Sequence, residues 1–181
     1  MERVEAFELV KKHMKNKNLI KHVLAVEAIM RALAEFFSED IEEWGLAGLL
    51  HDLDYEQTLH DPDNHSLHTE RILQDKDISG KIIYAIKCHN LKAERKSLLD
   101  KALYAADPVS GFIVAAALMH PEKKLGSLDL DFMLRRYKTK SFAAGASREQ
   151  IETCQAIGLT LNVFLKIALS AMQEQHAELG L

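Results

Sequence analysis

Nine histidines occur in this 181-residue chain, against two cysteines. Four of them, with two aspartates, fall in or beside helical segments: His22, His51, Asp52, His65, His89 and Asp107, at steps of 29, 1, 13, 24 and 18 residues. Each long step is about one helix and its loop, so successive helices of a bundle can each hand one or two ligands to a shared centre. Imidazole nitrogen mixed with carboxylate oxygen suits manganese, iron, cobalt, nickel or zinc better than calcium, which prefers all-oxygen shells. His51-Asp52 is the most informative pair, because it ends the apolar run AGLLHD where a core helix should stay dry. Burying either side chain without a partner costs roughly 1–3 kcal/mol, and a metal would satisfy both. Each residue alone has a plainer reading. His51 and His89 can sit near the last carbonyls of a helix, His22 can be a hydrogen-bonded core residue, His65 can belong to a turn, and Asp107 before Pro108 can be an N-cap. The ordered set carries the metal reading.

The elements that must position these residues read as helices throughout, an all-α bundle. Three prolines and eight glycines leave few breakers, and the segments between them show 3.6-residue periodicity rather than alternation. The spacing of Leu19, His22, Val26, Ile29 and Leu33 predicts one helix over 12–37, followed by a buried helix over 41–52 and a short one over 65–73. Ser79 can cap a helix through KIIYAIKCHN, and Ser97 with Asp100 forms a capping-box pattern opening SLLDKALYAAD. Asp107-Pro108 predicts a stop or kink there, with a new helix through GFIVAAALM. Residues 122–146 read as loops and short helices, Ser147 with Gln150 as another capping box, and 160–178 as the last helix.

His22 in KHVLAVE, His51-Asp52 in GLAGLLHDLD and Asp107 in ALYAADP resemble the motif of the HD-domain superfamily of metal-dependent phosphohydrolases. The superfamily's two-metal subset adds two histidines between the pair and the last aspartate, which His65 in HSLHTERIL and His89 in AIKCHN match. The resemblance covers about residues 18–114. It departs where His51-Asp52-Leu53-Asp54 stands for the frequent His-Asp-Ile-Gly and where Thr69-Glu70 stands for Gly-Ala, the latter leaving His68 as an alternative to His65. It implies one metal on His22, His51, Asp52 and Asp107, and a second on His65 and His89, bridged by Asp52. Such a pair can lower the pKa of a shared hydroxide and clamp phosphoryl oxygens during in-line attack. The implied activity is hydrolysis of a nucleotide or other small phosphate ester, with Asp52 and Asp54 catalytic; Asp54 can orient a water or a ligand. Di-iron oxygenase chemistry on the same ligand set, or a helical binding module with structural histidines, are the alternatives.

Lys87, Lys101, Lys140 and Arg148 are the candidate phosphate contacts, each also readable as a solvated charge. His13, His60, His120 and His176 read as surface residues, and Cys88 as a small buried hydrophobe. Composition sets the frame. Apolar residues are 48%, charged residues 28% and the formal net charge −4, which excludes a disordered chain or a cysteine scaffold and gives no support for nucleic-acid binding. Without an apolar leader or a long apolar run, the expectation is a single cytoplasmic domain over 1–181, with no membrane association, whose partner is a small phosphate substrate.

Overall fold

In the computed structural model, which describes every residue from Met1 to Leu181, regular structure is helical with no strand. The first elements are α1 (Arg3–His13), α2 (Lys17–Phe37) and α3 (Ile41–Leu50). The single helix expected over 12–37 is instead broken at 14–16. Met14 is extended, Asn16 caps α2 by accepting from the Asn18 amide, and the free amides of Lys15 and Asn16 donate to the Glu56 carboxylate. A long-range acceptor thus replaces the helical carbonyls. α2 buries Val23, Val26, Ile29, Met30 and Leu33 and stops at Ser38 in the left-handed conformation, after which Asp40 caps α3 through the amides of Glu42 and Glu43.

Three short or medium helices follow: α4 (Tyr55–Thr58), α5 (Leu67–Leu73) and α6 (Gly80–His89). Ser79 caps α6 by accepting from the Lys81 amide. α7 (Leu98–Met119) opens with the capping box of Ser97 and Asp100 and runs unbroken through Pro108. The stop expected at Asp107-Pro108, with a new helix after it, does not occur, so Asp107 is a mid-helix residue rather than an N-cap. Pro108 has no N–H for the Tyr104 carbonyl four residues back; Gln150 Nε2 donates to that carbonyl at 2.9 Å. Gln150→Ala is therefore expected to destabilise the protein by about 1 kcal/mol, a lost hydrogen bond to a carbonyl the helix cannot satisfy. Chemical denaturation would register it, and an unchanged midpoint would show that water takes over the task.

The chain closes with α8 (Leu130–Tyr137), α9 (Arg148–Glu152), α10 (Leu161–Glu174) and α11 (His176–Leu179), with 3₁₀ turns at Leu125–Ser127 and Thr153–Ile157. Ser147 caps α9, but Gln150 is committed to Tyr104 and does not complete a capping box. The last helix expected over 160–178 divides at Gln175. One apolar cluster extends from Ala6 to Leu179 and includes Trp44, Phe112 and Phe164. α7 is long and apolar enough to cross a membrane by length and composition, yet 56% of its apolar window is buried inside the fold. α2, α3, α6 and α7 pack on one another, and their facing residues include His22, His51, His89 and Asp107.

Candidate metal centre

His22 arrives from the second turn of α2, His51 and Asp52 from the C-terminal end of α3, His65 from the turn before α5, His89 from the last residue of α6 and Asp107 from the middle of α7. Their atoms converge around the Asp52 carboxylate. Asp52 Oδ2 lies 3.5 Å from both His22 Nε2 and His51 Nε2, while Oδ1 lies 3.3 Å from His65 Nε2 and 3.4 Å from His89 Nε2. Asp107 Oδ1 stands 3.2 Å from His22 Nε2 and 3.8 Å from His51 Nε2. His22 Nε2 and His51 Nε2 are 3.2 Å apart.

Every imidazole in the group presents Nε2 inward, because Nδ1 is held elsewhere. Ser110 Oγ donates to the Asp107 carbonyl at 2.8 Å, so its oxygen accepts from His22 Nδ1 at 3.0 Å. His51 Nδ1 donates to the Gly48 carbonyl at 2.8 Å, and His89 Nδ1 to the Ile86 carbonyl. His65 Nδ1 donates to Asp54 Oδ1 at 2.7 Å, and the other Asp54 oxygen accepts the Thr69 amide at 3.0 Å. Partners that fix the tautomer and leave Nε2 free to ligate are the usual outer support of a metal-binding histidine. Asn90 Nδ2 donates to the His65 carbonyl at 3.1 Å, tying the residue after His89 to the His65 turn.

The electrostatics tell the same story. Burial works against a charge on His22, but hydrogen bonds to Asp107 and Asp52 outweigh it and lift its pKa to about 10. His65 rises to about 9, against its burial, through Asp52 and Asp54. Asp52 is held well below the usual carboxylate range, its burial overcome by the His51 charge and by hydrogen bonds from His22, His65 and His89; Asp107 is lowered, against burial, by His22 and His51. Asp52, Asp107 and Asp54 thus draw protons onto His22 and His65, the signature of a pocket crowded with metal-ligating atoms. Two sets, His22 with His51 and Asp107, and His51 with Asp52 and His89, each bring one ligand atom per residue within 4.8 Å of one another. The donor chemistry fits a divalent transition metal.

Asp54 is fully buried and spends both oxygens on His65 and Thr69. That geometry fits a residue that positions His65, and leaves neither oxygen free for the catalytic role expected of it. In Asp54→Asn the amide group must confront either Nδ1–H or the Thr69 amide. Turning the His65 tautomer would remove the clash but put a proton on Nε2. Metal affinity is expected to fall 10–100-fold at the His65 side. Metal titration of the variant reads it, and an unaltered second binding step would refute the positioning role.

His65, not His68, meets Asp52. None of the four expected phosphate contacts is a free cation facing this centre. Lys87 Nζ pairs with Glu70 at 2.9 Å, Lys101 lines a separate cavity with Arg95 and Thr153, and Lys140 is exposed beyond α8. Arg148 donates to the carbonyls of Phe142, Ala143 and Ala146 and covers the Phe112 ring, a structural task. Cys88 turns away from His89: its Sγ donates to the Glu94 carbonyl, and burial pushes the thiol up to about 11. Sequence reasoning missed Ser110 and Asn90. Ser110 lies three residues after Asp107 on one helix face, and Asn90 directly follows His89; those spacings were the available signals.

Residues 19–111 match the family model described as HD domain. No solved structure matches the chain.

Proposed function

Because the chain belongs to the HD domain family, whose members are generally metal-dependent hydrolases, we propose that it hydrolyses a small phosphate ester, nucleotides included, at a two-metal centre. The observation that carries this reading is the Asp52 carboxylate, with one oxygen facing His22 and His51 and the other facing His65 and His89. A carboxylate placed so can serve two cations. His22, His51, Asp107 and Asp52 would hold one, and His65, His89 and Asp52 the other. Divalent cations held there supply Lewis acidity, easing ionisation of water and neutralising charge on the phosphoryl oxygens.

The chain's own residues do the rest. Asp54, Ser110 and the carbonyls of Gly48 and Ile86 hold the four imidazoles in one tautomer and orientation, so no reorganisation is needed when charge develops. The centre is closed on one side and open on the other: His51 and His89 side chains are 0% and 3% exposed, against 23% for His22 and 27% for Asp107. Substrate approaches from the His22–Asp107 side. Asp107 is also placed to take a proton from an attacking water, its carboxylate being the more exposed of the two.

The test is phosphate release from a panel of phosphomonoesters and phosphodiesters by protein loaded with manganese, iron, cobalt or nickel. Turnover that disappears on chelation and returns with metal is the expected result. Metal-loaded protein inert across the whole panel, or one that consumes oxygen instead, would overturn the reading.

A further inference from the structure

A cavity of about 490 Å³ lies between α2, α7 and the end of the chain, and His22 of the centre lines it. That volume lies in the range of small-molecule sites, roughly 300–1,000 Å³. His22 belongs to both places: its Nε2 faces Asp52 and Asp107, and its ring forms part of the cavity wall beside Ser110. Five of the lining residues are aliphatic, Ala25, Val114, Leu118, Leu179 and Leu181, and no aromatic side chain but His22 joins them. Leu118 is 51% exposed although it is a large apolar side chain.

Two features of the lining bear on the occupant. The first is Lys21, next to His22 in sequence. Its ammonium lies against Gly180, where an added Cβ would meet Nζ at 2.7 Å, and it has no carboxylate partner. It is therefore the cation that an anionic group entering from this side meets. The second is the poverty of hydrogen-bonding groups. Ser110 Oγ is already engaged as donor and acceptor, and Asn18 sits exposed at the rim. A nucleobase would find no ring but that of His22, which faces the centre, and no free buried polar side chain for its edge, and leaving those groups unpaired is unfavourable.

Resting on the phosphohydrolase reading, we infer that the substrate is a phosphate ester of an aliphatic organic group, with that group seated in this cavity and Lys21 serving as the anion contact. Gly111 offers a means to test it. It lines the cavity, and a Cβ built on it meets no atom within 4 Å, so a larger side chain there grows into the cavity without touching backbone. The helix tolerates the change, since leucine is a better helix former than glycine.

The experiment is calorimetric titration of manganese-loaded protein with methylphosphonate and hexylphosphonate, neither of which can be hydrolysed. Each methylene buried is worth about fourfold in affinity, so hexylphosphonate is expected to bind at least ~10-fold tighter after incomplete burial of its chain. Gly111→Leu should erase that preference, with Val114→Phe, one turn further along α7, as an independent obstruction. Lys21→Gln should weaken both ligands by about tenfold. Equal binding of the two phosphonates, or a hexyl preference that survives both obstructions, would overturn the cavity assignment and leave the phosphate reading standing. If neither phosphonate binds, the phosphate reading falls and takes the inference with it.

Discussion

Asp52→Asn is expected to leave the purified protein without stoichiometric metal and to lower phosphate-ester hydrolysis by at least ~10³-fold, the effect of several kcal/mol of lost charge stabilisation. Asp52 is the residue whose two oxygens face all four imidazoles, at 3.3–3.5 Å. The amide keeps the size and loses both the charge and one acceptor, so neither half of the centre stays complete. The fold is expected to survive, because the apolar cluster does not depend on this side chain. Elemental analysis with a thermal melt separates the two effects. A folded variant that retains its full metal complement would sink the bridging role.

Gly48→Ala is expected to lower unfolding stability by about 2–3 kcal/mol, the cost of overpacking against a surface that cannot yield. An added Cβ would stand 2.8 Å from the Val26 carbonyl and 2.9 Å from both N and Cα of Glu27. These are backbone atoms of α2, so α2 and α3 must separate. The same glycine supplies the carbonyl that accepts from His51 Nδ1, and α2 carries His22. Metal affinity should therefore fall together with stability. Gly45→Ala in the same helix makes an informative contrast. The three atoms nearest its Cβ would all belong to the Arg31 side chain, at 2.7–2.9 Å, rather than to backbone. Urea denaturation of the pair should show the smaller loss at Gly45, and equal losses would mean that the close helix approach at Gly48 is not what governs the response.

Glu27 shows why such an approach is held firmly. It is buried on α2, and its carboxylate accepts from Arg3 Nε at 2.6 Å and Arg31 Nε at 2.9 Å, while Arg31 also pairs with Glu42 on α3. The i,i+4 spacing of Glu27 and Arg31 on α2 is legible locally, but Arg3 from α1 and Glu42 from α3, which complete the network, are not.

The helical class was legible because 3.6-residue periodicity is a property of neighbouring residues. Helix ends with their own capping side chains, at Ser79, Ser97 and Ser147, were legible for the same reason. Where a remote group decided the outcome, local reading failed. The break at 14–16 depends on Glu56, and the continuity of α7 through Pro108 depends on Gln150 reaching the Tyr104 carbonyl from 46 residues away.

The site divides in the same way. The order and residue types of His22, His51, Asp52, His65, His89 and Asp107 are enough to suggest a shared centre of imidazole and carboxylate, since metal chemistry depends on donor type and each helix contributes a donor. Only the tertiary structure decided that His65 rather than His68 meets Asp52, that Asp54 accepts from His65 Nδ1, and that Lys87 and Arg148 are committed to Glu70 and to main-chain carbonyls. It alone settled which ring nitrogen each histidine turns inward. The physical reason is that Nδ1 is claimed by main-chain carbonyls, whose presence does not depend on residue type, and by Ser110, which lies 88 residues from His22 in sequence and 3.0 Å from it in the fold.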